Sequence, residues 1–157
     1  MATQSKVNKT IVLNISEEKY SEFIETPKFA HEIIISALNS SPELFPKETL
    51  ELGYTLKGLD RVSKKMNIRL RRIKIGDTIF RLRPSFVLPY MSGKTQEVKS
   101  PLFLIRFGVP FWAIAVVFGR NPMYWYRMFI RLSFFNLTST TVYDKTKMPL
   151  HILADEF

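Results

Sequence analysis

Eight cations fall between residues 64 and 83: Lys64, Lys65, Arg69, Arg71, Arg72, Lys74, Arg81 and Arg83, with Asp77 the one acid among them. Arginine presents forked donors that match phosphate oxygens, and each neutralised phosphate releases condensed counterions. Apolar and charged residues alternate through Ile68-Arg69-Leu70, Ile73-Lys74-Ile75 and Phe80-Arg81-Leu82-Arg83. On paired strands alternate positions share a face, so several of these cations can project together. The other reading of the cluster is a merely solvated sheet face. A second constellation is Arg120, Tyr124, Arg127 and Arg131. The last three share one side of a helix, the kind of face a groove-reading helix presents, although an ordinary amphipathic helix looks the same. Asp155 and Glu156 are adjacent carboxylates that would point to opposite faces of a strand, a poor arrangement for one shared metal ion. By their sequence alone they read as a polar terminus. His31 and His151 are the only histidines, too few for a four-ligand zinc site, and His151, with no partner in sequence, reads as structural. Phosphate-cradling glycine loops, nucleophile–base sets and His/Glu metal motifs are not found.

These groups need elements to hold them. Gly76-Asp77 between two alternating runs predicts a hairpin over residues 73–82, which residues 86–90 extend within the limits set by Pro84 and Pro89. Upstream, residues 11–15 fit a strand or ordered arm. Ser16 followed by Glu17 and Glu18 starts a first helix, and Thr26-Pro27 starts a second. Phe29, Ile33, Ile34, Ala37 and Leu38 give the second helix one core-facing side, and Asn39-Ser40-Ser41-Pro42 ends it. Glu43-Leu44-Phe45 is a short element between prolines. Residues 51–65 read as a short helix and a connection.

Residues 102–135 read as helical. Pro110 opens a helix over 111–118 that is apolar nearly all round and is expected to be buried. Gly119 closes it, and Asn121-Pro122 opens the next with a capping amide and a first-position proline. Trp125, Met128, Phe129 and Leu132 form its core stripe. Two helices across Gly119-Arg120-Asn121 have the layout of a helix-turn-helix. Residues 139–147 are polar, and 150–154 read as a short buried strand.

The 157 residues carry 23 Lys and Arg against 14 Asp and Glu, a net charge of +9. Residues 1–50 hold 5 basic and 7 acidic side chains, whereas 51–157 hold 18 basic and 7 acidic, so the positive field belongs to the later part. A polyanion is its natural partner. Cysteine is absent, which removes disulfides and thiolate metal sites and fits a reducing compartment. No signal peptide is visible. The uncharged run over residues 107–119 is shorter than the roughly 20 residues a spanning helix needs.

Several segments, taken in order, resemble insertion-sequence transposases with an RNase H-like DDE catalytic domain. They are Ser41-Pro42-Glu43-Leu44-Phe45-Pro46, Arg71-Arg72-Ile73, Arg83-Pro84-Ser85-Phe86-Val87-Leu88-Pro89-Tyr90-Met91 and Phe107-Gly108-Val109-Pro110-Phe111. Then come Phe118-Gly119-Arg120-Asn121-Pro122-Met123-Tyr124-Trp125-Tyr126-Arg127, Thr140-Thr141-Val142 and Leu153-Ala154-Asp155-Glu156, so the resemblance spans residues 40–157. It implies the amino-terminal, DNA-binding part of such an enzyme, truncated at the first catalytic Asp. Residues 150–154 would be the first strand of the RNase H-like core. Asp155 would be the first of three carboxylates holding two divalent ions such as Mg in the full-length family. The second Asp and the Glu are missing, so no complete catalytic or metal site is expected and no cofactor for this chain.

The sequence therefore predicts an α+β fold: N-terminal helices (residues 1–66), a basic β-hairpin or small antiparallel sheet (67–100), a helix-turn-helix-like region (101–142), and a linker with one orphan strand (143–157). It predicts a non-catalytic, cytoplasmic, nucleoid-associated prokaryotic protein whose partner is double-stranded DNA. A homodimer is compatible with it, and neither a membrane nor a small-molecule substrate is expected. The competing readings are a non-functional transposase remnant, an active nuclease, and a membrane-associated basic protein anchored through residues 102–118.

Overall fold

The computed structural model describes residues 9–89, 92–133, 142–144 and 146. The expected strand over 150–154, together with Asp155, Glu156 and His151, lies outside them. The chain is α+β. In order it runs β1 (Thr10–Leu13), α1 (Glu17–Glu25), α2 (Pro27–Ser40), a 3-10 turn (Pro42–Leu44), α3 (Glu48–Leu52), β2 (Thr55–Leu59), β3 (Arg71–Ile75) and β4 (Thr78–Pro84). Three helices follow: α4 (Thr95–Arg106), α5 (Phe111–Phe118) and α6 (Pro122–Ser133).

The expected hairpin is β3–β4, closed by Gly76-Asp77, with Gly76 at φ 54°. A two-residue hairpin turn needs positive φ at its first central residue, which glycine adopts without a Cβ clash. Two strands enlarge the hairpin into a mixed sheet of order β1-β4-β3-β2. β2 pairs antiparallel with β3, whereas β1 pairs parallel with β4. β2 stands where a helix and connection were expected for residues 51–65. Its Leu56-Lys57-Gly58-Leu59 run is short, and pairing with β3 decides it where local propensity does not.

The two sides of the sheet differ. Ile73, Ile75, Phe80 and Leu82 point inward with Ile11 and Leu13 of β1. Against them pack Tyr20 and Phe23 of α1, Ala30 and Ile34 of α2, and Phe45 after the 3-10 turn. The expected stripe of α2 is this contact: Ile34 is buried, and Phe29, Ile33, Ala37 and Leu38 pack at its margin. Ser16 and Thr26 stand at the helix N-caps with extended backbones, but neither side chain makes a capping hydrogen bond. Helices α1 and α2 thus form one core with the strands of the hairpin region.

A second core lies among the later helices. Leu88 joins Val98, Leu102 and Ile105 of α4, Ile114 of α5, and Trp125, Met128 and Leu132 of α6. Helix α4 begins at Thr95, seven residues before the expected start, and carries Pro101 in its interior. Thr95 also ties back to the sheet unit, its hydroxyl donating to the Ser85 carbonyl at 2.8 Å. The expectation that α5 is buried is corrected. Only Ile114 of its eight residues is buried, and Trp112, Val116, Val117 and Phe118 are exposed. An eight-residue helix makes just over two turns, so two neighbouring helices, α4 and α6, cover one side of it and leave the rest bare.

Phe23 is fully buried where α1 meets the sheet. Replacing it with Ala is expected to cost about 3–5 kcal/mol, by lost transfer energy and the cavity left behind. Ile35→Ala, on the exposed side of α2, should stay within about 0.5 kcal/mol. Urea unfolding of the two variants checks this ordering.

A candidate nucleic-acid interface

The outward side of the sheet carries cations in a row. Lys57 of β2, Arg72 of β3 and Arg81 of β4 are register neighbours across three strands. Adjacent strands lie about 4.8 Å apart, so the row spans roughly 10 Å. Thr55, Lys74 and Ile79 form the next row. At the β1 end this side is closed, because the register partners Val12 and Arg83 are both buried. The open part of the surface is therefore the part that bears Lys57, Arg72, Lys74 and Arg81.

One carboxylate moderates this field. Asp60 sits 2.6 Å from Arg81 Nε and 3.5 Å from Arg72 Nε. Arg72 Nε also donates to the Gly58 carbonyl at 3.2 Å, which orients its guanidinium along β2. Lys74 pairs with the fully exposed Asp77 at 3.3 Å. Asp77 is fully exposed and Asp60 half-buried, with their cationic partners open to solvent, so the pairs are individually weak and a phosphate can compete with the carboxylates.

Beyond β2 the chain makes a loop that returns to β3. The Asp60 amide donates to the Leu70 carbonyl at 2.8 Å, the Ser63 amide to Ile68 at 2.9 Å, and the Asn67 amide to Ser63 at 2.8 Å. Asn67 completes the reversal with φ 53°, a left-handed conformation that Asn tolerates. The loop exposes Arg61, Lys64, Lys65 and Arg69 next to the cationic row.

Two residues expected at this interface are elsewhere. Arg71 faces inward. Its Nε donates to the Phe23 carbonyl at 3.1 Å, its Nη2 to the Ile24 carbonyl, and its guanidinium lies 5.8 Å from the Phe23 ring centroid. It caps the C-terminus of α1, where backbone carbonyls have no helical partner. Burial pushes its pKa down, with the nearby Tyr20 acting the other way. Tyr20 is itself buried, its pKa raised by desolvation, and its hydroxyl donates to the Arg69 carbonyl at 2.6 Å. Arg83 is buried beneath the Val87 carbonyl, to which Nη1 donates, and burial pushes it down to about 10, still a cation at neutral pH. Strand alternation explains Arg71. Arg83 is on the outward side, but where that side is covered.

Helix α6 has the geometry expected from its sequence. Asn121 Oδ1 accepts from the Tyr124 amide at 2.7 Å, an N-cap bond to the third helical residue. Trp125 Nε1 donates to the Gly119 carbonyl at 2.8 Å. Gly119 and Arg120 both take positive φ, 73° and 65°, which turns the chain between α5 and α6. Trp125, Met128 and Leu132 are buried and Phe129 is half-buried. Arg127 and Arg131 are exposed on another side, with no ion pair among the described residues, and Arg120 lies 5.4 Å over the Tyr124 ring.

Lys57, Arg61 and Asp60 belong to this surface although the sequence reading passed over them. Alternation around Lys57 was the available signal, hidden by the brevity of β2. His31 makes a 2.9 Å hydrogen bond with the Tyr54 hydroxyl on the helical side and takes no part. Among the described residues no group of three or more acids or histidines could hold a metal ion, and no helix is long and apolar enough to cross a membrane. Comparison with known proteins adds no relative: no family model matches the chain, and neither a curated protein nor a solved structure matches it.

The position of Arg71 separates stability from binding. Arg71→Met removes donors from two carbonyls and should cost about 2–3 kcal/mol in thermal or urea unfolding. A variant as stable as the parent would show that the clasp on α1 contributes nothing.

Proposed function

We propose that this chain binds double-stranded DNA and is the DNA-binding portion of an insertion-sequence transposase, without a complete catalytic site of its own. The observation that supports DNA binding is the open row of Lys57, Arg72 and Arg81 beside the loop bearing Lys64, Lys65 and Arg69. A flat cationic face with forked donors favours the sugar-phosphate backbone, which positions a protein on a duplex without reading sequence. The exposed Arg127 and Arg131 of α6, with Arg120 and Tyr124 at its start, are the residues suited to base edges in a groove. The transposase assignment rests on the ordered sequence segments between residues 40 and 157. In it, Asp155 acts as a metal-binding carboxylate only together with the two carboxylates of a full-length enzyme, and the magnesium-type ions belong to that enzyme.

If Lys57, Arg72, Arg81, Lys64, Lys65 and Arg69 each meet one phosphate, the slope of log affinity against log salt is near −5, at about −0.9 per phosphate contact. Arg72→Ala with Arg81→Ala should flatten the slope by about 2 and weaken binding to all duplexes alike. Arg127→Ala with Arg131→Ala should reduce preference among duplex sequences and leave most of the slope. Fluorescence anisotropy over a salt series measures both effects. Absence of duplex binding by the parent protein at low salt would refute the proposal.

Asp60→Asn gives a test in the other direction. Removing the carboxylate that engages Arg72 and Arg81 should tighten duplex binding and steepen its salt dependence. Asp77→Asn, which frees Lys74 alone, should do so less.

A further inference from the structure

Helix α4 carries an aromatic and cationic side that the proposed duplex contacts leave unused. Its buried residues, Val98, Pro101, Leu102 and Ile105, occupy the opposite arc. On the open arc Lys99, Phe103 and Arg106 fall at i, i+4 and i+7, and Phe107 follows one turn after Phe103. The last turn reaches Phe107, whose amide donates to the Leu104 carbonyl at 3.1 Å. The rings of Phe103 and Phe107 meet, with centroids 4.7 Å apart and planes inclined at 50°. They are 58% and 71% exposed, so both present ring surface to solvent, and Lys99 and Arg106 are exposed on the same arc. Neither cation has an ion pair among the described residues. No acid occurs between Glu97 and Asp144, and the Glu97 carboxylate lies off this arc, against Gly93.

We infer that this side of α4 binds unpaired bases of a nucleic-acid strand, with Phe103 and Phe107 as stacking platforms and Lys99 and Arg106 meeting the flanking phosphates. The inference goes beyond the duplex-binding reading, uses none of its residues and does not require it. Paired rings flanked by cations and free of acids suit a ligand that is planar and aromatic and also negatively charged. A nucleotide has both properties, and every base offers a π-face, so such a site tolerates any sequence. A guanidinium beside the rings adds a cation over the face of a base. The size of the surface decides against other occupants. At about 200 Å² for a large side chain, the two rings expose on the order of 250 Å². That is about a third of the roughly 800 Å² each partner gives to a stable protein interface. It is also less apolar area than a single myristoyl chain offers, and one such chain holds a membrane only marginally. A duplex hides its base faces by stacking, so only an unpaired strand can use the rings.

Fluorescence anisotropy with a labelled oligothymidine of about 12 nucleotides tests this, against an abasic strand of the same length and charge. The abasic strand reports the electrostatic contribution of every cation on the protein, those of the sheet included, so the difference between the two strands isolates the bases. The parent is expected to bind the oligothymidine at least about tenfold more tightly than the abasic strand. Phe103→Leu and Phe107→Leu keep an apolar side chain but remove the ring. Each should lower oligothymidine affinity about fivefold or more and leave abasic-strand and duplex affinity unchanged. Phe103→Tyr and Phe107→Tyr should retain the parent affinity. Lys99→Ala with Arg106→Ala should flatten the salt slope for oligothymidine by about 1.4, at about 0.7 per phosphate on a single strand. These positions are exposed, so thermal melts should match the parent. Equal affinity of the parent for the two strands overturns the inference, as does a preference for bases that survives both leucine substitutions. Ring-dependent binding to phosphatidylserine vesicles without a preference for bases also overturns it and assigns the rings to lipid. Duplex binding is measured separately with the sheet variants, so either reading can fail while the other stands.

Discussion

Phe23 packs the C-terminal end of α1 against the sheet, and the Phe23 and Ile24 carbonyls there need donors. Arg71 supplies them, reaching from β3 to Phe23 and Ile24, while Tyr20 sends a hydroxyl the other way to Arg69. An unsatisfied buried carbonyl is costly, so this exchange holds helix and strand in one relative position. It also sets which way β3 faces. With Arg71 inward, Ile73 and Ile75 enter the core, and Arg72 and Lys74 must point out. The cationic surface therefore depends on a cation that is not part of it. A one-residue slip of β3 would bury Arg72 and Lys74 and empty the core of two isoleucines.

That surface is only moderately positive in the free protein. Asp60 lies between the two arginines best placed to meet phosphate, and Asp77 lies beside Lys74. Such exposed pairs add little to stability. Their effect is on binding: they hold guanidinium groups in a fixed orientation and yield to a stronger polyanion. The net charge of +9 thus overstates the field at the sheet and understates it over the later helices. There, from Val98 to Tyr143, five cations meet no acid.

Local rules made much of this legible in the sequence. The hairpin turn at Gly76-Asp77, the capping role of Asn121 and the buried stripe of Trp125, Met128 and Leu132 are decided by neighbours a few residues away. What stayed hidden was decided at long range. β2 is a strand because β3 accepts it. Arg83 looks like its exposed neighbours until the covering elements are in place, whereas the alternation that sends Ile73 and Ile75 into the core already puts Arg71 on their side of β3. The reading of α5 as buried failed for a related reason. An apolar sequence says that a helix avoids water, but not whether its own chain provides enough surface to cover it.

The parallel strand β1 has a consequence of timing. Thr10 pairs with Arg81, about 70 residues downstream. β3 and β4 can close through a two-residue turn in microseconds, but β1 must wait until that hairpin exists. During synthesis the apolar Ile11, Val12 and Leu13 emerge first and remain without their strand until residue 84 has left the ribosome. Of the core that β1 joins, α1, α2 and Phe45 precede β3 and β4 in the chain and can shelter it in that interval. The protein should therefore fold late for its size, the pairing of its beginning with its middle coming last, and its first strand is the segment most exposed to wrong partners until then.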